Sequence, residues 1–148
     1  MFSSILVPVD GSAASDRAVH TAAATAKAFG AHVSVLCVVD PYPFSGVGAD
    51  MAFAQVDYLD AATAEAKRVV NRACQHCEAS GVMVSSSVVE GPSVYAAIIE
   101  AADAASPSGA DLIVMGSHGR HGLEKLILGS VTAQVLSHSR VPVMVVRA

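Results

Sequence analysis

One stretch of the chain concentrates residues suited to holding an anion. It runs Gly116-Ser117-His118-Gly119-Arg120-His121-Gly122 and, after Leu123 to Leu128, ends on Gly129-Ser130. Gly116 directly follows the apolar run Leu112 to Met115, so the backbone can turn sharply there with no Cβ in the way. Gly119 and Gly129 let backbone N–H groups approach phosphate oxygens closely. Gly129-Ser130 also opens a helical pattern, and a helix N-terminus gathers unpaired N–H donors and partial positive charge. The Ser130 hydroxyl can donate to a phosphate or cap that helix. A single glycine is turn punctuation. Three of them at a strand end, within the loop and at a helix start, with a hydroxyl after the last, point to an anion or nucleotide loop. The stretch is neither a Walker A sequence nor GxGxxG, so its residues alone do not name the nucleotide.

Asp10 ends the first apolar run, just before Gly11-Ser12. A carboxylate among phosphates is repelled unless Mg2+ or Mn2+ bridges them, which makes Asp10 a candidate metal-phosphate ligand. Its other reading is a turn residue or helix N-cap. One carboxylate is a thin metal site, so the ion is expected to arrive with the nucleotide. Arg120, then His121 and Lys125, could contact phosphate from within the loop, against the alternative of solvated loop charges. No general base, arginine finger or second carboxylate is evident beside these positions, and slow or absent hydrolysis is expected.

Other constellations carry less. Cys74-Gln75-His76-Cys77 has the CxxC spacing, but it falls late in a helical pattern with no second ligand pair, and Cys77 reads as core. His118 and His121 lie in a loop that already has a better explanation than a metal pair. No G-x-S-x-G elbow occurs. Glu65, Lys67, Arg68 and Arg72 read as the solvated face of a helix.

The elements that must position the loop alternate along the chain. Ser4–Val9 reads as a buried strand, and Ser12 can cap a helix to Phe29 with Ala14, Ala18, Ala22, Ala26 and Phe29 on one face and Gly30 beyond its end. Val33–Val39 is a β-branched run without polar alternation, expected for a strand covered on both faces. Pro41, Pro43, Gly46 and Gly48 make the next segment a loop. A helix follows over Phe53–Ser80, with Leu59, Ala62, Ala66, Val69, Ala73 and Cys77 inward. Val82–Val89 is a third strand, Pro92–Ala105 a third helix, Leu112–Met115 a fourth strand, Ser130–Ser137 a fourth helix and Val141–Val146 a fifth strand. This alternation predicts one domain over residues 1–148: an α/β, doubly wound, mostly parallel five-stranded sheet. Ligands bind such sheets beyond the carboxyl ends of the strands, where strand order reverses.

Composition narrows the partners. The chain of 148 residues can bury a core without disulfides or metals. Its hydrophobic fraction of 53% owes much to alanine, and no apolar run approaches a membrane span. Met1-Phe2-Ser3-Ser4 lacks a basic segment, so no signal peptide is expected; the expected location is the cytoplasm, with Cys37, Cys74 and Cys77 reduced. A net charge of −4 and 5% aromatics argue against nucleic-acid binding.

The spacing Gly116-x2-Gly119-x9-Gly129-Ser130 matches the G-x2-G-x9-G-S/T signature of ATP-binding universal stress proteins. Ile5-Leu6-Val7-Pro8-Val9-Asp10-Gly11-Ser12 resembles that family's opening strand and turn. Asp111-Leu112-Ile113-Val114-Met115-Gly116-Ser117-His118-Gly119 resembles its fourth strand, and Val141-Pro142-Val143-Met144-Val145-Val146 its closing strand. The resemblance covers essentially the whole chain, weakest from Tyr42 to Ala64. It implies a Rossmann-like sheet of order 3-2-1-4-5 with ATP between the ends of strands one and four. It further implies that Asp10 helps hold metal-bound phosphates, that Pro8 and Val9 line the pocket, and that the Val38 backbone meets the adenine edge. Met115 and Gly116 would sit under the ribose, and Gly119, Gly129, Ser130 and Val131 would cradle the phosphates. A nucleotide-binding regulatory protein read by a protein partner, homodimeric through the final strand, is the implied function. A weak ATPase or nucleotidyl-transfer relative, and a dimeric interaction module without nucleotide, stay open as alternatives.

Overall fold

The structure, a computed structural model, describes residues 1–41, 52–105, 108–119 and 128–148. Arg120, His121, Lys125 and the proline- and glycine-bearing segment 42–51 lie outside the described residues. The elements are β1 (Ser4–Pro8), α1 (Ala13–Phe29), β2 (His32–Val39), α2 (Ala52–Ala79), β3 (Val84–Glu90), α3 (Val94–Ala104), β4 (Leu112–Gly116), α4 (Ser130–His138) and β5 (Val143–Val146). The five strands form one sheet in the order β3-β2-β1-β4-β5, and every pairing is parallel. Strand order reverses between β1 and β4, so that crevice is where the topology expects a ligand. No described helix is long and apolar enough to cross a membrane.

The central strands are apolar at successive positions because both of their faces are covered. Ile5, Val7 and Val9 of the first strand and its exit face one layer, together with Val33, Val35, Cys37, Val39, Leu112 and Val114. They meet the alanines of α1 and Ala66, Val69, Val70, Ala73 and Cys77 of α2. The intervening residues Leu6, Leu36, Ile113 and Met115 face a second layer with Ile98 and Ala102 of α3 and Val135 of α4. Alternation of side chains at period two splits one apolar run between two cores.

Helix ends follow local chemistry. Ser12 caps α1 by accepting the Ser15 N–H on Oγ at 3.2 Å. Gly30 ends the helix in the left-handed region at φ 68, its N–H returning to the Ala26 carbonyl. The inward alanine stripe is as expected, but Phe29 is not part of it. Phe29 is 49% exposed and meets Phe2 edge-on at 5.6 Å rather than joining the core. Three elements also start two residues later than expected. β3 begins at Val84, since Gly81 turns the chain at φ 79 and Val82 packs into the core without pairing. α3 begins at Val94, beyond Pro92. β5 begins at Val143, because Val141 and Pro142 belong to a turn in which the Ser139 hydroxyl bonds the Val141 backbone.

At the amino ends of the strands, Asp111 fastens the start of β1 to the start of β4. Its carboxylate accepts the Ser3 N–H and hydroxyl, each at 2.8 Å, and the Ser4 N–H at 3.0 Å. Burial alone would raise its pKa, but the backbone and hydroxyl hydrogen bonds outweigh that and hold it below the usual carboxylate value. A depressed folded-state pKa contributes stability above the unfolded value of about 3.9, lost as pH falls through the folded value. Asp111→Ala should therefore lower Tm by about 2–4 °C near neutral pH. The difference from the parent should close as thermal melts are taken down below about pH 3.5.

Candidate functional site

The exit of β1 is a hydrogen-bonded turn built by its own polar side chains. Asp10 Oδ1 accepts the Ser12 N–H at 2.9 Å, an Asx-type closure that turns the chain into α1. Gly11 between them takes φ 81, which a side chain would disfavour. Ser15, one turn into α1, is buried and gives its hydroxyl to the Ser12 carbonyl at 3.1 Å. The Asp10 N–H in turn approaches Ser15 Oγ at 3.4 Å. The Ser12 N–H thus holds the carboxylate at the carboxyl end of the sheet, while Ser15 holds the Asp10 backbone.

The exit of β4 lies directly against this turn. A Cβ on Gly116 would sit 2.8 Å from the Ala14 Cβ and 2.9 Å from the Ala14 carbonyl carbon. Only glycine permits that approach. A Cβ on Gly119 would fall 2.5 Å from Asp10 Oδ2, so the loop backbone passes immediately over the carboxylate. Ser117 is buried and joins three segments: its N–H reaches the Val146 carbonyl at 2.8 Å, its carbonyl accepts the Gly129 N–H at 2.8 Å, and its Oγ lies 3.0 Å from His118 Nδ1. Thr132, buried on the inner face of α4, gives its hydroxyl to the Gly116 carbonyl at 2.8 Å. The first turn of α4 therefore opens where the loop returns, and its Gly129 N-cap position contributes no side chain to satisfy those N–H groups.

These positions refine the roles read from sequence. Asp10, Gly116, Gly119, Gly129 and Ser130 do converge at the ends of β1 and β4. Gly116, however, makes room for α1, and Gly119 makes room for Asp10. The Gly129 N–H is engaged by Ser117, which leaves Ser130 and Val131 as the next backbone donors along the helix start. Val9 and Met115 are buried in the two apolar layers, and the Val38 and Val131 side chains pack against the second layer. Val9 and Met115 can therefore face a ligand only through backbone atoms, whereas Val38, Val131 and Pro8 are half-buried. Ser15, Ser117 and Thr132 were not singled out from sequence. Thr132 had a readable signal, a hydroxyl one turn before buried Val135 on the inward stripe of a short helix.

The CxxC segment stays structural. Cys77 is fully buried, and burial first, then Cys74 and Glu78, pushes its thiol up to about 11, so almost no thiolate forms near neutral pH. Among the described residues no group of three or more His, Cys, Asp or Glu side chains could hold a metal ion.

A model of the universal stress protein family matches residues 1–147. The chain belongs to that family. A universal stress protein of Methanocaldococcus jannaschii is 33% identical over 147 residues, spanning 99% of this chain and 83% of the relative. Among solved structures, the universal stress protein UspA from Lactobacillus plantarum superposes with a TM-score of 0.85 at 29% identity, over 98% of this chain and 97% of its own. A universal stress protein in complex with cAMP superposes with a TM-score of 0.66 at 26% identity, over 99% and 97% of the two chains. The β3-β2-β1-β4-β5 sheet with its four helices is the Rossmann-like architecture of these proteins.

Two substitutions test how the family's loop is mounted here. Gly116→Ala should cost about 1–3 kcal/mol in chemical denaturation, because the new methyl meets α1 backbone that cannot step aside. Thr132→Val should cost about 1–3 kcal/mol by stranding the buried Gly116 carbonyl, whereas Thr132→Ser, which keeps the hydroxyl, should recover much of the loss.

Proposed function

We propose that this chain binds an adenine nucleotide, ATP in the first instance, in the crevice between the carboxyl ends of β1 and β4. The reading has it act as a regulatory protein with slow or no hydrolysis, its nucleotide state read by a protein partner. The observation that carries the reading is the approach of Gly119 to the Asp10 carboxylate, which joins the first-strand turn and the glycine-rich loop into one wall. The glycines let backbone rather than side chains make these close approaches, as a backbone cradle for phosphate requires. The helix start of α4 borders the same wall, with Ser130 and Val131 offering N–H groups. A relative of similar fold crystallised with cAMP supports the adenine nucleotide as ligand class. Mg2+ or Mn2+ fits the donor set only if the nucleotide supplies most of the ligands, with Asp10 as the protein's oxygen.

Isothermal titration with ATP tests the site. Gly129→Arg should abolish detectable binding: a Cβ there already lies 3.1 Å from the His118 Cα, so a long side chain must displace the neck of the loop. Unchanged affinity would remove the loop from the reading. Asp10→Ala should weaken binding in Mg2+ by about 10-fold or more and weaken it less in EDTA. Equal losses under both conditions would leave Asp10 a turn residue only.

The reading includes a homodimer through β5. Among the described residues this strand pairs only with β4, which leaves its outer edge available for a further strand. The same strand from a second copy, related by a two-fold axis, would cover both edges with one self-complementary patch. Val143 packs inward against the second apolar layer, and Met144 and Val146 against the first. Val145 is half-buried and belongs to neither, so it is the better probe of the edge. Analytical ultracentrifugation should find a dimer at micromolar concentration that dissociates on Val145→Lys; a monomer in both proteins would refute the interface.

A further inference from the structure

We propose that His20 of α1 and His76 of α2 form an acid-sensitive latch between the two helices, closed while the pair carries at most one proton and loosened when both rings are charged. The two imidazoles stack face to face with centroids 3.8 Å apart and planes 10° from parallel. Neutral rings at that spacing attract, and one protonated ring on a neutral one still does. Two imidazolium ions at the same spacing repel.

The setting makes this contact a hinge point rather than an isolated surface pair. Asp16 and His20 stand four residues apart on α1, and Arg72 and His76 stand four apart on α2, so each helix presents one charge and one imidazole on a shared face. Asp16 Oδ1 holds Arg72 Nη2 at 3.3 Å. Together with Val19 and Ala73 these side chains line a cleft of about 160 Å³. The charged groups facing the pair, Asp16 from α1 and Arg72 from α2, are opposite in sign and bound to each other, so they offer no net charge to offset a second proton. Burial, and then the neighbouring His20 charge, hold the His76 imidazole below its ordinary value. A histidine with a depressed folded-state pKa contributes full stability above the unfolded value of about 6.5 and loses it as pH falls through that value toward the folded one. The latch is therefore shut near neutral pH and opens on acidification. It depends on the α1–α2 contact alone and is independent of the nucleotide reading.

His20 is exposed and His76 half-buried, so single Gln substitutions are compatible with the fold. In an NMR titration of histidine Cε1–H signals on the full chain, His76 should titrate below the ordinary imidazole range and return toward it in His20→Gln. In thermal unfolding, the parent should lose about 2–4 °C more than either His20→Gln or His76→Gln on going from about pH 7.5 to about pH 5. A His76 titration unaffected by His20→Gln, or parallel pH dependences of Tm in all three proteins, would overturn the proposal.

Discussion

Everything at the carboxyl end of this sheet is set out from one close contact, that of Gly116 with the first turn of α1. The missing Cβ lets the end of β4 lie on the backbone of Ala14 and Ser15. That distance fixes where α1 begins relative to the sheet, and with it the Ser12 cap, the Ser15 hydroxyl and the Asp10 carboxylate, which are tied to one another by short hydrogen bonds. The Gly116 carbonyl then receives Thr132, which sets the position of α4. A side chain at this one position would separate β4 from α1 and move the parts of the candidate site away from each other. Glycine loses more backbone entropy on folding than any other residue, and the three segments it brings together offset that cost.

The two faces of the sheet solve different packing problems. The face bearing α1 and α2 is mostly alanine, valine and cysteine, with Ile5 and Leu112 from the strands, and backbone fits matter where α1 starts. The face bearing α3 and α4 carries the longer Leu6, Leu36, Ile98, Ile113 and Met115 together with Ala102, Ala110 and Val135. The candidate site lies where α1 starts on the first face and α4 starts on the second.

Much of this was legible in sequence for a physical reason: period-two alternation in strands buried on both faces, and a capped alanine stripe in α1, are strong local signals. Five strands, four helices and the sheet order follow from those signals together with the family resemblance. What failed was decided by tertiary geometry. Phe29 matches the apolar face of α1 in spacing, yet its ring stays half exposed and packs edge-on against Phe2. Val141 and Val82 are apolar and β-branched, yet a serine-bonded turn and a left-handed glycine keep them out of the ladder. In the site, the sequence picks out glycines that the structure brings to the ends of β1 and β4, but whether each makes room for a ligand or for another part of the chain depends on contacts between distant segments. Ser117 and Ser15 carry no sequence signal at all, since a serine in a turn or a first helical turn is commonplace.

Ser117 also gives the molecule a direct mechanical route between the loop and the sheet edge. Its carbonyl closes the neck of the loop on Gly129, while its N–H holds the Val146 carbonyl at the end of β5. Both bonds belong to one buried residue, so a displacement at the loop neck must either carry the end of β5 with it or break one of them. Breaking a bond to a buried backbone group costs more than making one gains, which favours moving the strand end. Thr132 reinforces the coupling, because α4 is fixed to Gly116 beside the same neck and leads through the Ser139 turn back into β5. A ligand that reorganised the loop would thus act on the edge strand through two short, buried connections, without any rearrangement of the two apolar layers.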